Sequence, residues 1–314
     1  MDSRGLKQKS FERYLYAGLL LAGMFLAAQF TGHKEIVFPE IFALITGCWI
    51  AKRTPWNTNG LRIIGLTTLS ALLGVLTVKY MPAHIYWKIL FCFITTEMFL
   101  VISKTNLVPI IPAGIFPIFM NVKSYVYPTA VLIMTSIIVL GQRLLVKHNH
   151  RHKDKYNPAM FNRFVDLKRY LKLAVIFALI SIFPMNHGLI FWLSPPAVVT
   201  FVELSAPMSM NRKRPVQVWE VMSFAALTGT IFRFVFNIYF TFPLIVAAMF
   251  ACVFYFLYCN KTKVLYPPAS GALLMPLIIK PVDVLWYPIE VAAGLAILIP
   301  ISLYLFPTGV NRSK

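Results

Sequence analysis

Long, uniformly apolar runs separated by short polar stretches set the pattern of this chain. Eight runs, at 15–30, 61–78, 86–102, 127–146, 171–183, 218–236, 242–258 and 284–306, are dense in Leu, Ile, Phe, Val and Ala. They are predicted to be spanning helices, since about 20 apolar helical residues cross a hydrocarbon core of about 30 Å. Four further runs, at 36–50, 107–120, 189–208 and 264–281, are as apolar but are interrupted by Pro or Gly. Transmembrane strands would alternate polarity over segments of about ten residues, which these runs do not. The pattern predicts an all-α, polytopic membrane protein of twelve membrane elements, eight regular and four short and broken.

Composition strengthens that picture. Hydrophobic residues make up 58% of the chain and charged ones 13%, with a mean hydropathy of +0.70, more apolar surface than a soluble core of this length buries. No small-residue cleavage site follows the first run, so it is read as an uncleaved first span.

The run "VLYPPASGALLMPLIIKP" at 264–281 is the least helix-like of the twelve. Its prolines remove backbone donors, and freed carbonyls and amides persist in hydrocarbon only where protein or a water-filled cavity surrounds them. Half-helix N-termini would direct positive dipole ends into such a cavity, favouring an anion or carboxylate. Tyr266, Pro268, Ser270 and Gly271 are therefore candidate substrate-binding residues, with Pro112 and Gly114 in 107–120 and Pro195 and Pro196 in 189–208. The alternative is that small residues and prolines only permit close packing.

An internal repeat links these stretches. Ser70-Ala71-Leu72-Leu73-Gly74 corresponds to Ala225-Ala226-Leu227-Thr228-Gly229 at an offset of 155. Pro112-Ala113-Gly114 corresponds to Pro268-Ala269-Ser270 at 156, Pro39 to Pro195 at 156, and Tyr127-Pro128 to Tyr287-Pro288 at 160. The expected organisation is two six-element membrane repeats, 1–147 and 171–314, joined by a basic cytoplasmic linker at 148–170. An even number of crossings per unit implies a pseudo-twofold along the membrane normal. The small-xxx-small pairs Ser70/Gly74 and Ala225/Gly229 suit internal packing or a homo-oligomer.

Charge then orients the chain. With the N-terminus inside and all twelve elements crossing, 24 of the 30 Lys and Arg residues fall on the cytoplasmic side, among them Arg4, Lys7, Lys9, Arg312 and Lys314. Lys34, Lys79, Lys88, Lys123 and Lys280 fall outside, and Arg233 lies within a span. The net charge of +19 is thus an orientation signal rather than a nucleic-acid surface, and it places both termini in the cytoplasm of a cell-membrane protein. Re-entry of both short elements of one half would preserve the same parity; crossing is the simpler reading. "HNHRH" at 148–152 lacks a Cys or carboxylate partner and is read as a solvated loop, not a metal site. The cysteines, Cys48, Cys92, Cys252 and Cys259, have no ligand spacing and imply no disulfide.

Ionisable residues inside spans face a cavity or a partner. Glu97 and Glu203 are candidate proton-coupling carboxylates, Glu97 alternatively pairing with Arg233 or another cation. Arg233 is the candidate for capturing an anion, against snorkelling to the headgroups. Glu40, Glu220 and Glu290 lie near run ends and are expected to reach the interface.

The second half, with "SPPAVVTFVELSAP", "FAALTGT", "YPPASGALLMPLI" and "WYPIEVAAGLAILI", resembles the HPP family of integral membrane proteins, and the first half repeats the pattern in "FPEIFALITGCWI", "LSALLGV", "IPAGIFPIF" and "YPTAVLIM". The position of the family's histidine holds Tyr266 in one copy and Ile111 in the other. The resemblance implies a carrier or channel for a small, nitrite-like anion. A second resemblance, to fusaric-acid and aromatic-acid exporters, rests on apolar spans with "ALLGV" and implies efflux of an organic carboxylate. No catalytic motif stands out, since His33, Glu35, His84 and His187 fall in separate loops. The chain is expected to be no enzyme and to need no cofactor; its expected partners are the lipid bilayer and a small anionic substrate, with a non-transporting subunit or scaffold as the remaining alternative.

Overall fold

The computed structural model describes residues 3–307, with side chains for all of these except residues 3–10, Ala159 and Arg163. The side chains of Arg4, Lys7 and Lys9, and Arg312 and Lys314 entirely, lie outside the described residues. The helices are α1 (Ser3–Thr31), α2 (Glu40–Ile45, continued by a π turn at Thr46–Ile50), α3 (Gly60–Tyr80), α4 (Ile85–Ile102), α5 (Ile110–Phe119), α6 (Val126–Lys147), α7 (Arg163–Asn186), α8 (Pro195–Ser205), α9 (Pro215–Phe232, continued by a π turn at Arg233–Tyr239), α10 (Leu244–Thr262), α11 (Pro267–Leu274, followed by a 3-10 turn at Met275–Leu277) and α12 (Tyr287–Leu305). No strand occurs among the described residues.

Local chemistry fixes many of the starts. Asn59 accepts from the Arg62 amide at 3.0 Å, and Asn162 accepts from the Phe164 amide at 3.1 Å, satisfying N-terminal donors of α3 and α7. Proline occupies the first turn of α8, α9, α11 and α12, where its missing N–H is no loss.

Seven helices, α1, α3, α4, α6, α9, α10 and α12, are long and apolar enough to cross a membrane, and they make this a multi-pass membrane protein. The eighth regular span expected from sequence departs from that rule. α7 contains Asp166, Lys168, Arg169 and Lys172 in its first half and Pro184 near its end, so its apolar portion is shorter than its length.

Burial sorts the helices into two layers. Among the described residues, every large apolar side chain exposed on an α-helix or its π continuation belongs to α1, α3, α4, α6, α7, α9, α10 or α12, and none belongs to α2, α5, α8 or α11. All residues of α2 and α11 are buried, as are α5 up to Ile118 and α8 apart from Glu203. Eight long helices therefore surround four short ones. At a rise of about 1.5 Å per residue, a short helix is about 15 Å long, half a hydrocarbon core.

Two of the short helices, α2 and α8, are flanked by non-helical chain that reaches both ends of a neighbouring long helix. Arg13 near the start of α1 donates to the Ile50 carbonyl at 3.0 Å, while the 3-10 turn Lys34–Ile36 packs on the other end of α1. The segment from Thr31 to Ile50 thus returns along the length of α1. In the second half, the Phe191 amide donates to Glu290 in the first turn of α12 at 3.0 Å, and Arg212, just beyond α8, donates to the Phe306 carbonyl past the end of α12 at 2.6 Å.

Contacts occur in corresponding pairs. α3 packs on α5 and α6, and α9 on α11 and α12; α2 packs on α6, and α8 on α12. Between the halves, α2 meets α11 and α5 meets α8, while α1 meets α10 and α4 meets α7. The closest approaches correspond as well. A methyl group on Gly74 would run into the Gly114 carbonyl and Pro117, and one on Gly229 into the Leu273 carbonyl and Pro276. Tyr127 donates to the Ala113 carbonyl at 2.9 Å and Tyr287 to the Ala272 carbonyl at 3.2 Å. These contacts relate Pro109 to Pro268, Ala113 to Ala272 and Pro117 to Pro276, an offset of 159. The offset of 156 read from "PAG" and "PAS" is thus corrected in this element, because packing follows the glycine-to-carbonyl contact rather than the dipeptide match. Gly74 and Gly229 are engaged in internal packing.

The basic linker is anchored through Arg151 and a few further contacts, while His148, His152, Lys153 and Lys155 are exposed. Arg151 is 6% exposed and donates to Asp154 at 2.9 Å, to the Thr54 hydroxyl at 2.8 Å and to the Ala51 carbonyl at 3.1 Å. Burial pulls the Arg151 guanidinium below its ordinary pKa, against the upward pull of Asp154. Asn57 and Asn157 bond reciprocally at 2.8 and 2.9 Å, and His150 Nδ1 stands 3.0 Å from Glu12.

Gly74→Ala and Gly229→Ala are expected to lose about 1–3 kcal/mol each through overpacking against a backbone carbonyl. Gly18→Ala, where a methyl meets nothing within 4 Å, should leave stability unchanged. Thermal unfolding in detergent separates the two classes.

Candidate functional site

The four short helices are aligned so that their N-terminal turns meet. Glu40 and Ala43 of α2, Pro109 and Pro112 at the start of α5, Pro196 and Val199 of α8, and Pro268 and Gly271 of α11 line one void of about 10 Å³, together with Trp56. That is room for about one water molecule. The lining residues form corresponding pairs, Glu40 with Pro196, Ala43 with Val199, Pro109 with Pro268 and Pro112 with Gly271, so the void sits where the two halves meet.

The composition of that lining follows from the chain breaks. Proline in the first turn has no N–H to satisfy, which lets these helices begin in the interior rather than at a watered end. Small residues at 43 and 271 keep the backbones near the space. A methyl on Gly271 would meet Pro196 at 3.4 Å and the Pro39 carbonyl at 3.5 Å, ordinary contact distances. Trp56 is 5% exposed and packs on Gly47, where a methyl would collide with the indole ring.

The opposite ends of the short helices are held by arginine. Arg13 and Arg151 reach the carbonyls of Ile50, Gly47 and Ala51 at the end of α2; Arg212 reaches Leu204 at the end of α8; Arg233 reaches Pro276 beyond α11. α5 closes with backbone bonds from Met120 and Val122 instead. Cations at helix C-termini satisfy free carbonyls and complement the dipole. Glu40 is the acidic residue among those that line the converging N-terminal ends.

Glu40 is the group that sequence reading passed over. It was expected to reach the interface, but it is 4% exposed, and no residue other than its own backbone amide offers its carboxyl oxygens a hydrogen bond. The reason is local. The chain from Lys34 enters through a 3-10 turn and extended residues before α2 begins at Glu40, so a position near the end of the apolar run lies deep in the bundle. An apolar run shows no such delay in helix onset.

Of the residues singled out from sequence, Pro112, Pro196, Pro268 and Gly271 line the void, with Pro195 adjoining Pro196 in the first turn of α8. The others lie elsewhere. Ser270 donates to the Pro267 carbonyl at 2.6 Å within its own helix, and Gly114 packs on Ser70 and Thr96. The Tyr266 hydroxyl is buried beside Thr200 and Glu203 without a well-formed hydrogen bond. Glu203 accepts from the Asn211 side chain at the end of α8. Arg233, expected to capture an anion or snorkel, instead caps Pro276. Glu97 is 2% exposed on α4 and has Arg169 of α7 as its cationic neighbour, not Arg233. Among the described residues, no three His, Cys, Asp or Glu side chains gather to hold a metal ion.

A buried carboxyl with no partner beyond its own amide opposes folding, so its replacement by a similarly sized apolar group is expected to stabilise the protein. Glu40→Leu should raise the thermal midpoint by the equivalent of about 1–3 kcal/mol; a fall would make Glu40 a structural anchor rather than a functional group. Comparison of the chain with protein-family models, curated proteins and solved structures finds no match.

Proposed function

We propose that the chain is a membrane transporter for a small anion, with the translocation path passing through the junction of the four short helices. The observation that carries this reading is the convergence of their N-terminal turns on one water-sized void that the buried Glu40 helps to line. Irregular backbone at membrane depth is tolerated where it lines a cavity, and half-helix N-termini in such a cavity attract negative charge.

In this reading all twelve helices cross the cell membrane as two six-element repeats related by a pseudo-twofold along the normal. The paired helix contacts and the paired void lining support it. The sequence count that puts 24 of the 30 basic residues on one side when every element crosses supports a cytoplasmic location for that side and for both termini. The HPP-like pattern motivates nitrite as the first substrate to try, and the size of the void favours an ion of a few atoms over an aromatic carboxylate.

Purified protein in liposomes is expected to move nitrite or nitrate and not benzoate. Gly271→Leu, which fills the void, should reduce that flux at least tenfold, while Gly271→Ala should retain it. Absence of flux for every small anion in folded wild type would overturn the reading. A cysteine placed at Lys34 should react with an impermeant thiol reagent from outside intact cells, and one at Lys153 only after permeabilisation.

A further inference from the structure

Within the transport reading, we infer that Glu40 carries a proton through the same void as the anion, so that proton and anion cross together. The helix N-termini alone would not single out this position. Glu40 does, because it lines the void, is 4% exposed and has no hydrogen-bond partner for its carboxyl oxygens beyond its own backbone amide.

The argument is one of charge exclusion. The converging N-terminal turns offer a field suited to one negative charge. An ionised Glu40 already supplies that charge, and a second anion beside it in a space for about one water would meet unscreened repulsion. Protonation removes the resident charge and leaves the field to the incoming anion. Leaving the proton behind after the anion departs would stop the cycle, so each turnover returns it to water on the far side. No bond other than the carboxyl O–H forms or breaks.

The surroundings offer no other neutraliser. α5, α8 and α11 present only prolines, Val199 and Gly271 to the void, and the 51–59 loop presents Trp56. From α6 and α12, Tyr127 and Tyr287 are within electrostatic reach of Glu40, but their hydroxyls donate to the Ala113 and Ala272 carbonyls. No lysine, arginine or histidine lines the void. Its second-half counterpart is Pro196, so the carboxyl is present once per molecule.

The test uses nitrate, whose neutral acid is negligible near neutral pH, in liposomes of the full-length protein carrying an internal pH dye. Wild type is expected to accumulate nitrate against its gradient when the outside is acidic and to acidify the interior when nitrate is supplied outside. Glu40→Gln should lose both by at least tenfold while keeping a thermal midpoint at or above wild type, and Glu40→Asp should recover part of both. Nitrate flux that is indifferent to the pH gradient in wild type, or acid-driven accumulation and internal acidification unchanged in Glu40→Gln, overturns the proton role and leaves transport standing. No flux in wild type overturns both readings together.

Discussion

Everything in this fold depends on where the backbone polar groups of four half-length helices go. A helix that stops halfway through an apolar bundle leaves free carbonyls at one end and free amides at the other, and water is not at hand to satisfy them. The carbonyl ends of three of the four are met by guanidinium groups from Arg13, Arg151, Arg212 and Arg233. The amide ends begin at or just after proline, their first N–H groups bond to carbonyls of the preceding turn, and they share one small void. The short helices thus have arginine-held carbonyl ends for three of the four and proline-rich starts that converge.

The surrounding eight helices make that interior tolerable. Among the described residues they carry all the exposed large apolar side chains of the α-helices, and they approach the short helices closely enough to exclude solvent. Gly74 against the Gly114 carbonyl and Gly229 against the Leu273 carbonyl show how close that approach is. Small residues serve here as in other membrane bundles, by letting backbones meet. The docked linker adds a further layer, since the network of Arg151, Asp154 and Thr54 holds the loop that carries Trp56 over the void.

Much of this architecture was legible in the sequence, because apolar runs and their prolines are direct statements about hydrocarbon and backbone. The broken character of the four short elements and the involvement of Pro112, Pro196, Pro268 and Gly271 could be read there. Glu40 could not, because its depth depends on a delayed helix start that hydropathy does not register. Arg233 was readable as a buried cation but not as a carbonyl cap, since its partner Pro276 is 43 residues away. Ser270 was misleading for a similar reason: a hydroxyl in a broken helix can serve its own backbone, and here it does. The docking of 148–157 was hidden by its polar composition, which suits a solvated loop as well as a bonded one.

The central claim is that the junction of the short helices opens to water on each side of the membrane in turn. Cysteine introduced at Ala43 or Val199, with Cys48, Cys92, Cys252 and Cys259 replaced, provides the direct measurement through labelling by an impermeant thiol reagent applied to either face of sealed vesicles. The account predicts that each position reacts from both faces and that a saturating small anion changes the balance between them. Silence from both faces in folded, transport-tested protein would contradict it, and the junction would then be a packing centre rather than a path.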